Sequence, residues 1–424
     1  MRLPAGGVLR TIAGVGSAAL AAQAIGFAAS PLLSRLFAPD AFGRFGLLTA
    51  LTNVLAVVAL VGSNSAIFAA ESHDEALALL RAGLTALALA LLPCAAAALA
   101  LIAFGWFGYG ALEPWHAALV GLHVAVLGAT TLLQPWLARR QRYRALARSH
   151  LTLGLLRPGG QVALGAARLG FPGLAFGEIA ARAAVTASMA HAVADDLRDA
   201  WALTAAEVRA ALRRRRHFVV FGTATNLANN VGTALPPVLV TMGYGVQAAG
   251  LFTLTSLVMT APIGLVQKAV GDVFIGHFVE RFAADRTAAV AFLLRVAAAL
   301  FGVALLGGLV IVLAAEPLFA LVFGESWRPA GALAARLVPL FVADFTVGTV
   351  SGVVGVANRP QWKLVFDALR VGGLASASLV AARLDLPLAG LVTLFAWTGV
   401  LAYLVYAVLI RRAVLAPRPP SPAP

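Results

Sequence analysis

From His217 to Gln267 about fifty residues pass without an Asp, Glu, Lys or Arg, and the run is broken only at Met242-Gly243-Tyr244-Gly245. One membrane crossing needs roughly 20 apolar residues for a hydrocarbon core of about 30 Å, so this stretch predicts two crossings joined by a tight turn. The same alternation of long apolar runs with short charged clusters continues along the chain. It predicts twelve helical spans near 11–33, 45–69, 82–106, 115–137, 149–167 and 171–194, then 217–241, 246–275, 288–314, 336–357, 364–382 and 386–410. A charged linker separates the two sets at 195–216, and the end, 411–424, is Pro-rich and reads as a disordered cytoplasmic tail. The expected organisation is therefore an N-terminal six-helix lobe (1–194), the linker, and a C-terminal six-helix lobe (217–410).

Charge sharpens this picture. Cytoplasmic loops of membrane proteins carry an excess of Lys and Arg. Placing both termini in the cytoplasm puts 21 of the 32 basic residues in cytoplasmic segments, among them Arg139, Arg140, Arg142, Arg144 and Arg148 after span four and Arg213 to Arg216 before span seven. The net charge of +14 would suggest nucleic acid in a soluble protein. Here the clusters sit between apolar spans, where topology explains them, and no nucleic-acid partner is expected. Composition agrees, with 61% hydrophobic and 12% charged residues. The single cysteine, Cys94, excludes an intrachain disulfide and a cysteine-based metal site. The first apolar run, Thr11 to Ser34, is longer than a signal-peptide core, so a retained first helix is expected.

The two sets of six also share short matches. Gly43-Arg44-Phe45-Gly46-Leu47 parallels Gly250-Leu251-Phe252-Thr253-Leu254 at the start of spans two and eight, and each follows a Pro-initiated stretch. This reads as an internal duplication with an axis along the membrane normal; chance similarity between apolar segments is the competing explanation.

Several segments resemble a known family. LLSRLFAPDAFGRFGLL (32–48), the basic loop RRQRYRALARSHL (139–151), LPPVLVTMGYGVQAAGLFTLTSLVMTAPIGLVQKAVGDVF (235–274) and VFGESWRPAGALAARLVP (322–339) are similar to bacterial polysaccharide transporters. These are the Wzx-type lipid-linked oligosaccharide (O-antigen) flippases of the MOP superfamily, relatives of MurJ-like and MATE transporters. The resemblance implies an all-α integral membrane fold with two six-helix lobes around a central cavity. It also implies an undecaprenyl-diphosphate-linked glycan as cargo, moved from the cytoplasmic to the periplasmic leaflet for surface polysaccharide biosynthesis. The implied location is the bacterial inner membrane. Membrane lipids, a proton or sodium ion for coupling, and polymerase and chain-length proteins of the same pathway are the implied partners. No cofactor is expected, and the chain reads as a transporter rather than an enzyme. The alternatives are a MATE-like multidrug antiporter and a membrane-embedded glycan polymerase or ligase.

Ionisable groups within spans cost roughly 2.5–3.5 kcal/mol each on insertion scales, so each needs a partner or a purpose. Arg157 precedes Pro158-Gly159-Gly160, a combination that predicts a broken helix and a wet cavity in which a cation grips a diphosphate. The plainer reading is an Arg snorkelling to the headgroups. Glu178 and Arg182, four apart, predict an intrahelical pair; the alternative is a cavity pair that opens when an anionic cargo competes for Arg182. Lys268 and Asp272 have the same spacing, and Asp367 and Arg370 read as an interfacial pair. Asp344 has no opposite charge three or four residues away, so its compensation must come from another helix, water or protonation. Asp344, Glu178 and Asp272 are the ion-coupling candidates. Asn226, Asn229 and Asn230 share a helix face and predict contacts to sugar hydroxyls or a cation, or else helix-to-helix bonding. Gln23, Arg35 and Arg295 complete the cavity candidates. His116 and His123 share a face at seven residues' spacing, which reads as packing rather than as a metal site.

Overall fold

The computed structural model describes residues 5–359 and 361–416, and the regular elements among them are all helical. The far end of the Pro-rich tail, 417–424, lies outside the described residues. The chain forms two compact units, Met1–Gly250 and Leu251–Pro424.

The first unit begins with α1 (Ala5–Leu36) and α2 (Pro39–Leu60). Pro39 opens α2 where a helix does not use the backbone donor, and Asp40 in the first turn suits the positive end of the helix dipole. Val61 and Gly62, both left-handed, end α2 and turn the chain into the short α3 (Ser63–Ala69). The expected span 45–69 is thus two helices. In α4 (His73–Ala103) the N-cap Ser72 accepts the Glu75 amide at 3.1 Å. A 3-10 turn at Trp106–Ala111 leads to α5 (His116–Arg139), α6 (Tyr143–Ala166) and α7 (Phe171–Ala192).

The charged linker is helical too, as α8 (Ala194–Ala202) and α9 (Ala205–Arg214), the latter opened by a Thr204–Glu207 capping box. Both pack on α4. Asp196 is buried and accepts the Trp136 indole N–H at 3.0 Å, while Arg140 lies 3.3 Å from it. Arg215 forms a two-pronged pair with Glu75, 3.0 Å on each arm, and a third contact with Glu71 at 2.8 Å. Its three hydrogen bonds to these carboxylates hold the Arg215 guanidinium well above its ordinary pKa.

α10 (Arg216–Ala284) runs 69 residues and is interrupted by one non-helical residue, Gly245, at φ 82° and ψ 172°. Unbroken, it would be on the order of 100 Å long, more than three times a bilayer core. The division at Gly245 makes it two spans, as the charge-free run required, although Met242 to Tyr244 stay helical. Just beyond the division the first unit shows a reciprocal approach. A Cβ added at Gly43 would strike the Val246 carbonyl, and one added at Gly250 would strike the Pro39 carbonyl. The contacts are reciprocal because Gly43 and Gly250, and likewise Pro39 and Val246, are related by the offset of the duplicated motifs. Glycine at these two positions lets the backbones touch, as small residues do between helices in lipid.

The second unit continues with α11 (Arg286–Phe323), capped by Asp285, whose carboxylate accepts the Thr287 and Ala288 amides at 2.8 and 3.1 Å. Next come α12 (Arg328–Ala343), a π-helical turn at Asp344–Gly348, α13 (Val353–Val356), α14 (Gln361–Arg383) and α15 (Leu388–Leu415). An aromatic core holds this unit together. Phe274 stacks on Phe292 at 5.6 Å, and Phe366 lies 4.8 Å from Tyr403 and 4.6 Å from Tyr406. Along α11, Val303, Leu306, Leu309, Val310 and Leu313 are all exposed, a face suited to acyl chains and not to water.

Among the described residues nine helices are long and apolar enough to cross a membrane, counting Gly222–Ala284 once. α6 and α7 are not among the nine, and they are the helices that carry Arg157, Glu178 and Arg182.

Candidate functional site

α5, α6 and α7 place three ionisable side chains around one carboxylate. Glu178, 2% exposed, is contacted by the Arg157 guanidinium at 2.6 Å and the Arg182 guanidinium at 2.6 Å. His123 comes within 3.7 Å of it from α5. Close packing makes this possible. A Cβ at Gly177 would press on Gln161 at 2.7–3.0 Å, so α6 and α7 approach tightly beside the cluster. Buried Gln161, one turn past Arg157, donates to the Leu174 carbonyl at 3.1 Å and pins the pair.

The expected break at Pro158-Gly159-Gly160 does not occur. α6 is continuous, with Pro158 buried inside it; Gly160 packs against Gly177, while Gly159 faces open space. The helix also starts at Tyr143 rather than near 149, so Arg157 lies about four turns into it, deeper than snorkelling to its starting end requires. The expected Glu178–Arg182 pair is present, and Arg157 joins it as a second cation, which sequence spacing could not show.

The electrostatic consequence follows from counting. One carboxylate faces two guanidiniums, so the cluster carries an excess positive charge. Glu178 is fixed in the interior, whereas the Arg157 side chain is 41% exposed and Arg182 18%. A guanidinium forms charge-assisted bonds of the same kind to a carboxylate and to other anions, and that of Arg157 is the more exposed of the two. Beside the cluster, Thr130 of α5 and Thr186 of α7 share a hydrogen bond at 2.8 Å.

Asp344 sits in the second unit at the start of the π-helical turn, a feature enriched at functional sites. Tyr403 donates its hydroxyl to Oδ1 at 2.7 Å. Gln267 Nε2 donates to the Asp344 carbonyl oxygen at 2.9 Å and reaches Oδ1 at 3.3 Å. A Cβ at Gly348 would lie 2.7 Å from that carboxylate oxygen and 2.8 Å from the Gln267 nitrogen, so glycine makes the room this pair occupies. Thr346 and Thr349 bond their own helix, to Val342 and Phe345. The compensation Asp344 needed comes from neighbouring helices, through neutral donors.

The remaining candidates are more dispersed. Asn226 and Asn230 line a cavity of about 250 Å³ in the first unit, while Asn229 is exposed outside its lining. Asp272 is exposed and pairs with Lys268 at 3.9 Å, far out on the surface. Arg295 is exposed and makes no ion pair among the described residues. Gln23 and Arg35 are exposed on α1. Asp367 is buried and its partner is Lys363, at 2.6 and 2.7 Å, not the expected Arg370. The four-residue step puts the lysine and Asp367 on one face of α14. Among the described residues no three His, Cys, Asp or Glu side chains gather as metal ligands would. His123, Gln267, Tyr403 and Gly348 joined the sites without being singled out for them; polar side chains within apolar runs were the available signal.

A family model described as polysaccharide biosynthesis protein matches residues 32–332. A search of the curated proteins found no match. Among solved structures, the lipid II flippase MurJ in an inward closed conformation superposes with a TM-score of 0.76 at 11% identity, covering 95% of this chain and 89% of that one. An inward-facing MATE multidrug transporter of the MOP superfamily gives 0.61 at 13% identity, with 93% and 94% covered. A MOP superfamily transporter from Pyrococcus furiosus gives 0.58 at 14% identity, with 96% of both chains covered. At such identities the likeness speaks for the fold: this is an all-helical membrane protein with the architecture of MOP transporters.

Proposed function

The chain belongs to the polysaccharide biosynthesis protein family, and we propose that it flips an undecaprenyl-diphosphate-linked oligosaccharide from the cytoplasmic to the periplasmic leaflet by alternating access. Its product serves surface polysaccharide assembly. The observation that carries the reading is the convergence of Arg157 and Arg182 on buried Glu178. An empty transporter keeps these cations paired to its own carboxylate, with one positive charge in excess. An arriving diphosphate, more highly charged than one carboxylate, takes Arg157 and then Arg182, and Glu178 recovers them when the cargo leaves. Exchange of this kind avoids both a trap too deep to release the cargo and bare charges in hydrocarbon. Asp344, held only by neutral donors, is the proposed coupling group: a proton or a sodium ion supplies the charge that Tyr403 and Gln267 do not.

A MATE-like exchange of cationic drugs is a second reading of the same fold, but the excess positive charge around Glu178 repels such cargo. A polymerase or ligase would act on units already exposed outside. The test is the sidedness of lipid-linked repeat units in cells lacking this protein, read with a glycan-binding lectin added to the periplasmic side of intact spheroplasts. Accumulated units that the lectin cannot reach are expected. Unpolymerised units that the lectin does bind would overturn the reading in favour of a polymerase or ligase.

A further inference from the structure

The first unit holds a second polar site that the charged cluster does not absorb. Asn53 near the end of α2, Asn64 in α3, Thr131 on α5, and Asn226 and Asn230 on α10 line the cavity of about 250 Å³, and the rest of its wall is aliphatic apart from Gly62. That volume is many times what one water needs. The left-handed Val61 and Gly62 matter here, because by ending α2 they turn Asn64 into the same chamber as Asn53.

The amides are only partly spent on the protein. Asn226 donates to the Ser65 hydroxyl at 3.4 Å and Asn230 to the Asn226 carbonyl at 2.9 Å. The side chains of Asn53 and Asn64 make no hydrogen bond to any described residue. A carboxamide offers two donors and an acceptor, and leaving these unused inside a membrane protein is costly. No charged side chain lines the chamber. Its walls therefore suit a neutral guest with many donors and acceptors on its rim and C–H faces for the aliphatic wall. That is the chemistry of a pyranose ring. A phosphate would require cations here, and a cationic drug a carboxylate.

Position agrees with chemistry. His123, beside Glu178, is followed on α5 by Leu127 and Thr131, one and two turns along, and both line the chamber. At about 1.5 Å per residue they are roughly 6–12 Å beyond His123 along the axis. On α7, Glu178, Arg182 and Thr186 follow at four-residue steps, with Thr186 bonded to Thr130 of α5. The charged cluster and the chamber are neighbours along one helix.

We propose that this asparagine chamber is a carbohydrate subsite that takes one neutral sugar, a hexose or acetamido-hexose, of the transported glycan. The assignment rests on the proposed function for the origin of the sugar, and its test stands apart from the diphosphate grip. The full chain in phosphatidylcholine nanodiscs is titrated with octyl glucoside and octyl N-acetylglucosaminide, with octanol as the sugar-free control, and separately with farnesyl diphosphate. Wild type is expected to bind at least one glycoside more tightly than octanol. Asn53→Leu and Asn64→Leu are each expected to weaken that sugar-dependent binding about tenfold while farnesyl diphosphate binding is retained. Thermal stability should hold or rise in both variants, because neither amide bonds the protein; a merely structural polar cluster would show that stability change without any change in sugar binding. Equal glycoside affinity in wild type and both variants, or no preference over octanol in wild type, overturns the subsite. Failure of wild type to bind farnesyl diphosphate would instead strike the diphosphate grip and leave the sugar result to decide the chamber.

Discussion

Glu178 and Asp344 are both acids inside a membrane protein, and their surroundings solve the same electrostatic problem in opposite ways. Glu178 is enclosed by guanidiniums, so its charge is overcompensated and the local balance is positive. Asp344 is held by a phenol and a carboxamide, which stabilise a charge without cancelling it. In the proposed mechanism the first arrangement trades one anion for another, and the second takes a proton or cation. Residue type alone would have given both acids the same role.

The sharpest way to break this comparison is to delete Glu178. Glu178→Ala leaves two guanidiniums without their carboxylate, and the expected cost is about 3–5 kcal/mol of stability. Thermal unfolding of the purified protein reads it, and Glu178→Gln should recover part of the loss by keeping the packing. A stability close to wild type in the Ala variant would mean that the cluster is already solvated and not the compensated site described.

Next in size is Arg157→Ala. Glu178 keeps Arg182, so folding should be nearly intact, while transport per molecule falls about tenfold or more through loss of a charge-assisted contact. Measured flipping at matched protein levels separates this outcome from an expression defect.

Asp344→Asn tests the other side. It keeps an acceptor for Tyr403 and removes the charge, so net transport should lose its dependence on an imposed pH or sodium gradient while cargo binding remains. Unchanged gradient dependence would reduce Asp344 to a structural acceptor. Gly348→Ala should push against the same carboxylate and Gln267, costing about 1–3 kcal/mol by overpacking. The smallest effect is expected at Asp272, where replacing an exposed partner of Lys268 should stay within about 0.5 kcal/mol and leave coupling unchanged.

Much of the fold was legible in the sequence because the bilayer imposes a length rule on apolar runs. The expected pairs of spans at 82–106 and 115–137, or 364–382 and 386–410, coincide with helices α4, α5, α14 and α15 within a turn or two at most ends. Helix ends set by caps were harder: α11 reaches Phe323, well past the expected 314, since glutamate and proline near its end are tolerated in a helix that emerges from the apolar core. The Val61–Gly62 break was hidden because two left-handed residues inside an apolar run leave no hydropathy signal.

Pairings within one helix were readable from spacing, as Glu178 with Arg182 shows. The choice between two equally spaced partners was not, since Asp367 took Lys363 over Arg370. Juxtapositions across helices were out of reach of spacing altogether: the contacts of Arg157 with Glu178 and of Tyr403 and Gln267 with Asp344, and the cavity shared by Asn53 and Asn226, depend on packing that only tertiary structure fixes.

The central claim is that Arg157 and Arg182 form an anion grip that Glu178 holds closed. Binding of farnesyl diphosphate, compared with farnesol, to wild type and Arg157→Ala tests it most directly. Preferential binding of the diphosphate by wild type, weakened about tenfold or more in the variant, is the predicted result. Equal affinity of the two proteins for the diphosphate, or no preference over farnesol, would contradict it.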